Sequence, residues 1–141
     1  LIFVMKAGKG RHINTIELGK HGRNRSNLWR YGGANSFSAT RDEDLAAHPT
    51  VKPVELVADA ILDCSKRGGI ILDAFVGSGT TLIAAEQTGR RGYGVEIDPW
   101  YVDVAVRRLA AVVGTRPCLL ETGESFDAVR ERRSLEEINY V

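Results

Sequence analysis

Two carboxylates and two glycines stand at spacings suited to a nucleotide-like ligand. Asp73 ends a short apolar run, Ile70-Ile71-Leu72, and is followed by Gly77 and Gly79. Glu96 comes about twenty residues after the first glycine, where an acid can grip the diol of a ribose. Glycines in the turn carry no Cβ, so the backbone can approach a ligand closely. A phosphate-cradling loop would need Gly-Lys-Ser/Thr, but Gly79 is followed by Thr80 and Thr81. A dinucleotide fingerprint would need a small residue three positions after Gly79, where the chain has Leu82. A pyrophosphate beside Asp73 would also meet a like charge, whereas an ammonium would find a partner.

S-adenosylmethionine offers both an ammonium for Asp73 and a ribose diol for Glu96. The elements that must position these groups follow from pattern. The apolar run at residues 70–72 predicts a strand buried on both faces of a parallel sheet. Residues 80–87 predict a helix stopped by Gly89, and residues 92–97 a second short strand ending in acids. Asp98 reads as an N-cap and Pro99 as the first helical residue of a helix that Gly114 stops. Its apolar stripe is Val102, Ala105, Val106, Leu109 and Val113. Glu96, in contrast, has no evident structural duty at its strand end.

Upstream, each proline at 49 and 53 pushes its predecessor out of helical geometry, so residues 48–53 read as extended. Pro53 suits the first turn of a helix whose stripe is Val54, Val57, Ala58, Ile61 and Cys64. Lys66 and Arg67 are placed in its last turn and Gly68 at its end. Residues 1–6 read as a strand in which the chain opens, which fits a fragment. Residues 7–37 read as a long loop, and residues 41–47 as a polar approach to the helix. Residues 118–120 read as a short strand, and Ser125 as the cap of a charged helix touching the body through Phe126 and Val129.

The run Asp73-Ala74-Phe75-Val76-Gly77-Ser78-Gly79-Thr80-Thr81 is preceded by His48-Pro49-Thr50-Val51-Lys52-Pro53 and followed by Glu96-Ile97-Asp98-Pro99. Together these resemble the amino-methylating DNA methyltransferases, which modify adenine N6 or cytosine N4. The order resembles their permuted class, with cofactor motifs at the C-terminal end. The resemblance is best over residues 48–109 and extends to residues 1–37.

It implies that Asp73 pairs with the ammonium of S-adenosylmethionine and Glu96 accepts from its ribose hydroxyls. Thr50 and Lys52 then line the methionine end, with the Lys52 ammonium meeting the carboxylate. Gly77 and Gly79 admit the cofactor to the backbone, Phe75 shapes the pocket wall, and Thr80 completes the set. It also implies a Pro-Pro-aromatic motif that activates the target amine. The prolines here are Pro49, Pro53, Pro99 and Pro117, none adjacent to another. The expectation is therefore the cofactor half of the enzyme, with no catalytic residue in this chain, no transfer by the chain alone, and the N-terminal catalytic half as its partner.

Composition and charge fit that picture. The 141 residues are 43% hydrophobic and 26% charged, ordinary for a globular protein with one core. Between Lys6 and Arg30 stand seven basic residues and one acid, Glu17, giving +6 against −5 for the remainder. A basic segment on an acidic body points to a polyanion. Arg23, Arg25, Trp29 and Arg30 suit phosphate contact and base stacking, with double-stranded DNA as partner; the bland alternative is a solvated loop. No apolar run is long enough to span a membrane, and Cys64 and Cys118 form no paired motif. His12, His21 and His48 have no metal-ligand spacing. A reduced, cytoplasmic protein is expected, and a homodimer is left open.

The fold expected is α/β: a partial, doubly wound, Rossmann-like methyltransferase sheet, incomplete in this chain and with exposed edges. Residues 1–47 would end an upstream part with the basic loop, residues 48–114 would bind cofactor, and residues 115–141 would be an extension. Two rivals belong to other classes: a non-catalytic nucleic-acid-binding module with a vestigial pocket, and a dinucleotide-dependent oxidoreductase fragment.

Overall fold

The computed structural model describes residues 3–13, 15, 28–32 and 51–138. Helix α1 (Val54–Cys64) leads to strand β1 (Ile70–Asp73), and helix α2 (Thr80–Gln87) crosses to strand β2 (Arg91–Gly94). Helices α3 (Pro99–Val113) and α4 (Phe126–Ile138) follow. β1 and β2 pair in parallel, Ile70 opposite Arg91 and Asp73 opposite Gly94. Parallel neighbours need a crossover, and α2 supplies it.

The core is small. Ile61 of α1 meets Ala84 and Ala85 of α2, with Val54, Val57, Ala58 and Ile71 packed around them. The two alanines are completely buried, and their short side chains let α1 lie close to α2. Arg90 is buried as well and closes this end of the structure. Its guanidinium donates to Ser65 Oγ at 3.0 Å, to the Ser65 carbonyl at 2.7 Å and to the Thr88 carbonyl, joining the C-terminal ends of α1 and α2.

The capping signals of α3 act as read. Asp98 accepts from the Trp100 N–H at 2.9 Å, Pro99 opens the helix, and Gly114 ends it in the left-handed conformation at φ +69°. Ser125 Oγ accepts from the Ala128 N–H at 3.2 Å at the head of α4. Phe126 and Val129 are half-buried, and the Arg107 guanidinium lies 5.3 Å from the Phe126 ring centroid.

Several expectations are corrected. The strand at residues 70–72 is not buried on both faces: Ile70 and Leu72 are 62% and 69% exposed, because among the described residues α1 and α2 pack on the Ile71 face. The second strand spans Arg91–Gly94 rather than residues 92–97. Val95 still donates to the Asp73 carbonyl, but β1 ends there and the Val95 carbonyl turns to the Val76 N–H. Helix α1 stops at Cys64, with Pro53 as its N-cap and not its first turn. Ser65 is extended, its hydroxyl donating to the Ile61 carbonyl, so Lys66 and Arg67 lie beyond the helix. Cys64 is exposed, and in the stripe of α3 only Ala105 is buried. Residues 118–120 make a single bridge, Cys118 to Ser125, instead of a strand. Residues 3–6 are irregular, with Phe3, Val4 and Met5 exposed; residues 1 and 2, and the polar stretch at 41–47, lie outside the described residues.

Candidate cofactor pocket

The first strand delivers Asp73 to its carboxyl end, and the chain then turns through residues 74–79 into α2. Both oxygens of Asp73 are engaged: Oδ1 accepts from the Phe75 N–H at 3.0 Å, and Oδ2 from the Thr81 hydroxyl at 2.6 Å. These contacts fix the carboxylate over the turn. Glu96 lies beyond β2 and reaches back, its Oε2 accepting from the Gly77 N–H at 2.8 Å. Its Oε1 accepts from the Ile97 and Asp98 N–H groups at 2.9 and 3.0 Å. Glu96 therefore has a structural duty, contrary to the sequence expectation. It pins the glycine-rich turn to the end of the second strand.

Gly79 is required by packing as well as by conformation. Its φ is +86°, and a Cβ there would lie 2.8 Å from the Ala105 Cβ of α3, too close for any side chain. Gly77, at φ +52°, has no neighbour closer than 4.0 Å to such a Cβ, so it is the glycine that faces open space.

A cavity of about 390 Å³ opens between the start of α1 and this turn. Lys52 and Val57 line it, with Asp73, Phe75 and Gly77, and with Thr80 and Thr81 from the start of α2. Of the residues singled out in the sequence, Lys52, Asp73, Phe75, Gly77 and Thr80 thus share one cavity. Gly79 and Glu96 adjoin it through Gly77 and Ser78 without lining it, and Thr50 lies outside the described residues. Phe75 is 90% exposed, so its ring is available to a ligand at the rim. Thr81 and Ser78 also line the cavity and were missed. Thr81 was visible as the second hydroxyl of the Gly-Thr-Thr run, but nothing in sequence showed that it would face Asp73.

The lining includes an acid, Asp73, and a base, Lys52, a pairing that suits a zwitterion. Among the described residues no group of three or more His, Cys, Asp or Glu side chains can hold a metal ion. No described helix is long and apolar enough to cross a membrane.

Of the candidate DNA contacts, Arg23 and Arg25 lie outside the described residues, Arg30 is exposed and Trp29 is half-buried. Trp29 meets Tyr31 edge-on at 6.3 Å, and the Tyr31 hydroxyl donates to Asp59 of α1. Thr15 donates to the Leu62 carbonyl from its hydroxyl and to the Asp63 carbonyl at 3.4 Å from its N–H. Thr15 within the basic segment, and Tyr31 just after it, are thereby tied to α1.

The family model for DNA methylase, of the N6 and N4 type, matches residues 5–107. The chain belongs to that family. It is 38% identical over 90 residues to the type II methyltransferase M.ScaI of Streptomyces caespitosus, covering 64% of this chain and 30% of that one. It is 36% identical over 106 residues to the type II methyltransferase M2.DpnII of Streptococcus pneumoniae, covering 73% and 38%. The chain thus spans about a third of the length of these relatives. Among solved structures, a DNA modification methylase of Thermus thermophilus, complexed with S-adenosyl-L-methionine, is 40% identical, with coverage of 52% and 27% and a TM-score of 0.43. The cytosine-N4-specific PvuII DNA methyltransferase is 22% identical, with coverage of 64% and 37% and a TM-score of 0.50. The latter likeness supports the α/β methyltransferase fold, present here as a small parallel sheet.

Proposed function

We propose that this chain is the cofactor-binding C-terminal portion of an enzyme that methylates an exocyclic amino group of DNA, adenine N6 or cytosine N4. The observation that carries this is Asp73 and Lys52 facing one cavity in a chain of the DNA methylase family. Asp73 receives the ammonium of S-adenosylmethionine and Lys52 its carboxylate. Phe75 flanks the ligand, Gly77 lets it near the backbone, and Thr80 and Thr50 complete the wall. Glu96 turns part of its carboxylate to the ribose hydroxyls, exchanging backbone partners for the diol. When bound, the cofactor supplies an electrophilic methyl group on its sulfonium. The residues of this chain bind and orient it.

In this reading residues 1–47 carry the DNA-contacting basic segment, with Arg23, Arg25 and Arg30 on phosphates and Trp29 beside them. Residues 48–114 bind the cofactor and residues 115–141 extend the domain. Activation of the target amine falls to a catalytic half outside this chain, since no two prolines here are adjacent. The exposed sheet face around Ile70, Leu72 and Tyr93 is where that half, or a second copy, packs.

The test compares thermal shifts of the purified chain with S-adenosylmethionine, S-adenosylhomocysteine and NAD. Stabilisation by the first two and none by NAD is expected. Stabilisation by NAD alone would restore the oxidoreductase reading. No response to any of them, with retention on duplex DNA that falls steeply with salt, would leave a nucleic-acid-binding module.

A further inference from the structure

Three consecutive residues of the glycine-rich turn are each held from the segment that follows β2. The Gly77 N–H is bound by Glu96, and Gly79 is packed on Ala105. Between them stands Ser78, which is buried and lines the cavity. Its carbonyl and its Oγ both accept from Arg108 Nη1, at 2.7 and 2.9 Å. Ala105 and Arg108 are three residues apart on α3, hence on one helical face. Arg108 does not line the cavity itself. One face of α3 therefore sets the position of the turn.

From this we infer that Arg108 is a positioning residue for the cofactor: it holds Ser78, and through Ser78 the backbone of Gly77 and Gly79, in the shape that receives the ligand. The inference rests on the pocket being the cofactor site. A half-buried guanidinium on a carbonyl and a hydroxyl is a charge-assisted contact with little freedom to rearrange. Without it the turn keeps the Glu96 bond and the Ala105 packing but loses its middle anchor. The folded chain then spends part of its time with the turn displaced, and apparent affinity falls by the fraction still competent.

The test uses Arg108→Ala, and Arg108→Met to retain the packing of the stem, with Arg90→Gln as a buried-arginine control remote from the turn. Affinity for S-adenosylhomocysteine is measured by calorimetry at a temperature where each variant is fully folded by circular dichroism. Both Arg108 variants should bind about tenfold more weakly, the effect expected if losing both bonds to Ser78 leaves about a tenth of the chain with the turn in place. Arg90→Gln should lower the melting temperature and leave affinity of the folded chain within about twofold. Amide hydrogen exchange without ligand gives an independent readout: the Arg108 variants should speed exchange at Gly77 and Gly79 but not at Gly68 or Arg91. Unchanged exchange at the turn would overturn the anchor whatever the ligand. Faster exchange with unchanged affinity would show an anchor that does not position cofactor. A wild-type chain that binds no S-adenosylhomocysteine would overturn the cofactor reading beneath the inference.

Discussion

The Glu96 carboxylate accepts a hydrogen bond from the Gly77 N–H at 2.8 Å, so the acid expected to grip a ribose also closes the turn beside it. Its Oε1 accepts from the Ile97 and Asp98 N–H groups, at the start of the turn into α3. A ligand diol arriving at Glu96 would be read at once by the turn and by the helix behind it.

Replacing Glu96 by Ala should therefore act twice. Affinity for S-adenosylhomocysteine should drop about ten- to hundredfold, the equivalent of about 1.5–3 kcal/mol for charged hydrogen bonds. Amide exchange at Gly77 should also accelerate in the absence of ligand. Titration calorimetry and exchange measured on the same preparation check both. Equal affinities would remove Glu96 from the site.

Thr81→Val keeps the shape of the side chain and removes the hydroxyl that Asp73 accepts from at 2.6 Å. With Asp73 freer to rotate, S-adenosylhomocysteine affinity should fall about three- to tenfold, corresponding to about 0.5–1.5 kcal/mol. Stability to urea should change little, because the pair lies at the cavity rather than in the core. A variant that loses stability but binds normally would make this contact structural only.

The fold should tolerate change on the open face of the sheet but not in the core between α1 and α2. Ile61→Ala opens a cavity beneath α2 and should cost about 2–5 kcal/mol by urea denaturation. Leu72→Thr, at a position 69% exposed, should shift stability by no more than about 0.5 kcal/mol in the isolated chain. A core-sized loss at Leu72 would mean that its face is covered in solution by another part of the chain or a second copy.

The parts legible in the sequence are those whose cause is local. Asp98 with Pro99, Gly114 after α3, and Ser125 ahead of Phe126 are each readable within a turn of helix. The strand, turn, helix and strand order was legible from the apolar run at residues 70–72 and the glycines that follow it. The errors came where a distant element decides. Ile70 and Leu72 have the composition of a doubly covered strand, but coverage depends on what packs above them. The structural duty of Glu96 was hidden because the Gly77 N–H that it holds lies 19 residues away. The buried Arg90 and the Arg108 contact to Ser78 carry no sequence signal, since an arginine in a helix or loop ordinarily faces water.

If the basic segment meets DNA, changing Arg23, Arg25 and Arg30 together to Ala should weaken duplex binding irrespective of sequence. The slope of log affinity against log salt should become shallower by about 0.9 for each phosphate that the variant no longer neutralises. Filter binding over a range of salt concentrations measures it. An unchanged slope would return the segment to a solvated loop.

The central claim is that Asp73 and Lys52 bind the two charged ends of one amino-acid moiety. Calorimetric titration of S-adenosylhomocysteine against methylthioadenosine, which lacks that moiety, tests it most directly. Wild-type chain should bind the first about tenfold more tightly or better, and the preference should vanish in the Asp73→Asn, Lys52→Met double variant. Equal affinities for the two ligands in the wild type, or a preference that survives the double substitution, would contradict the account.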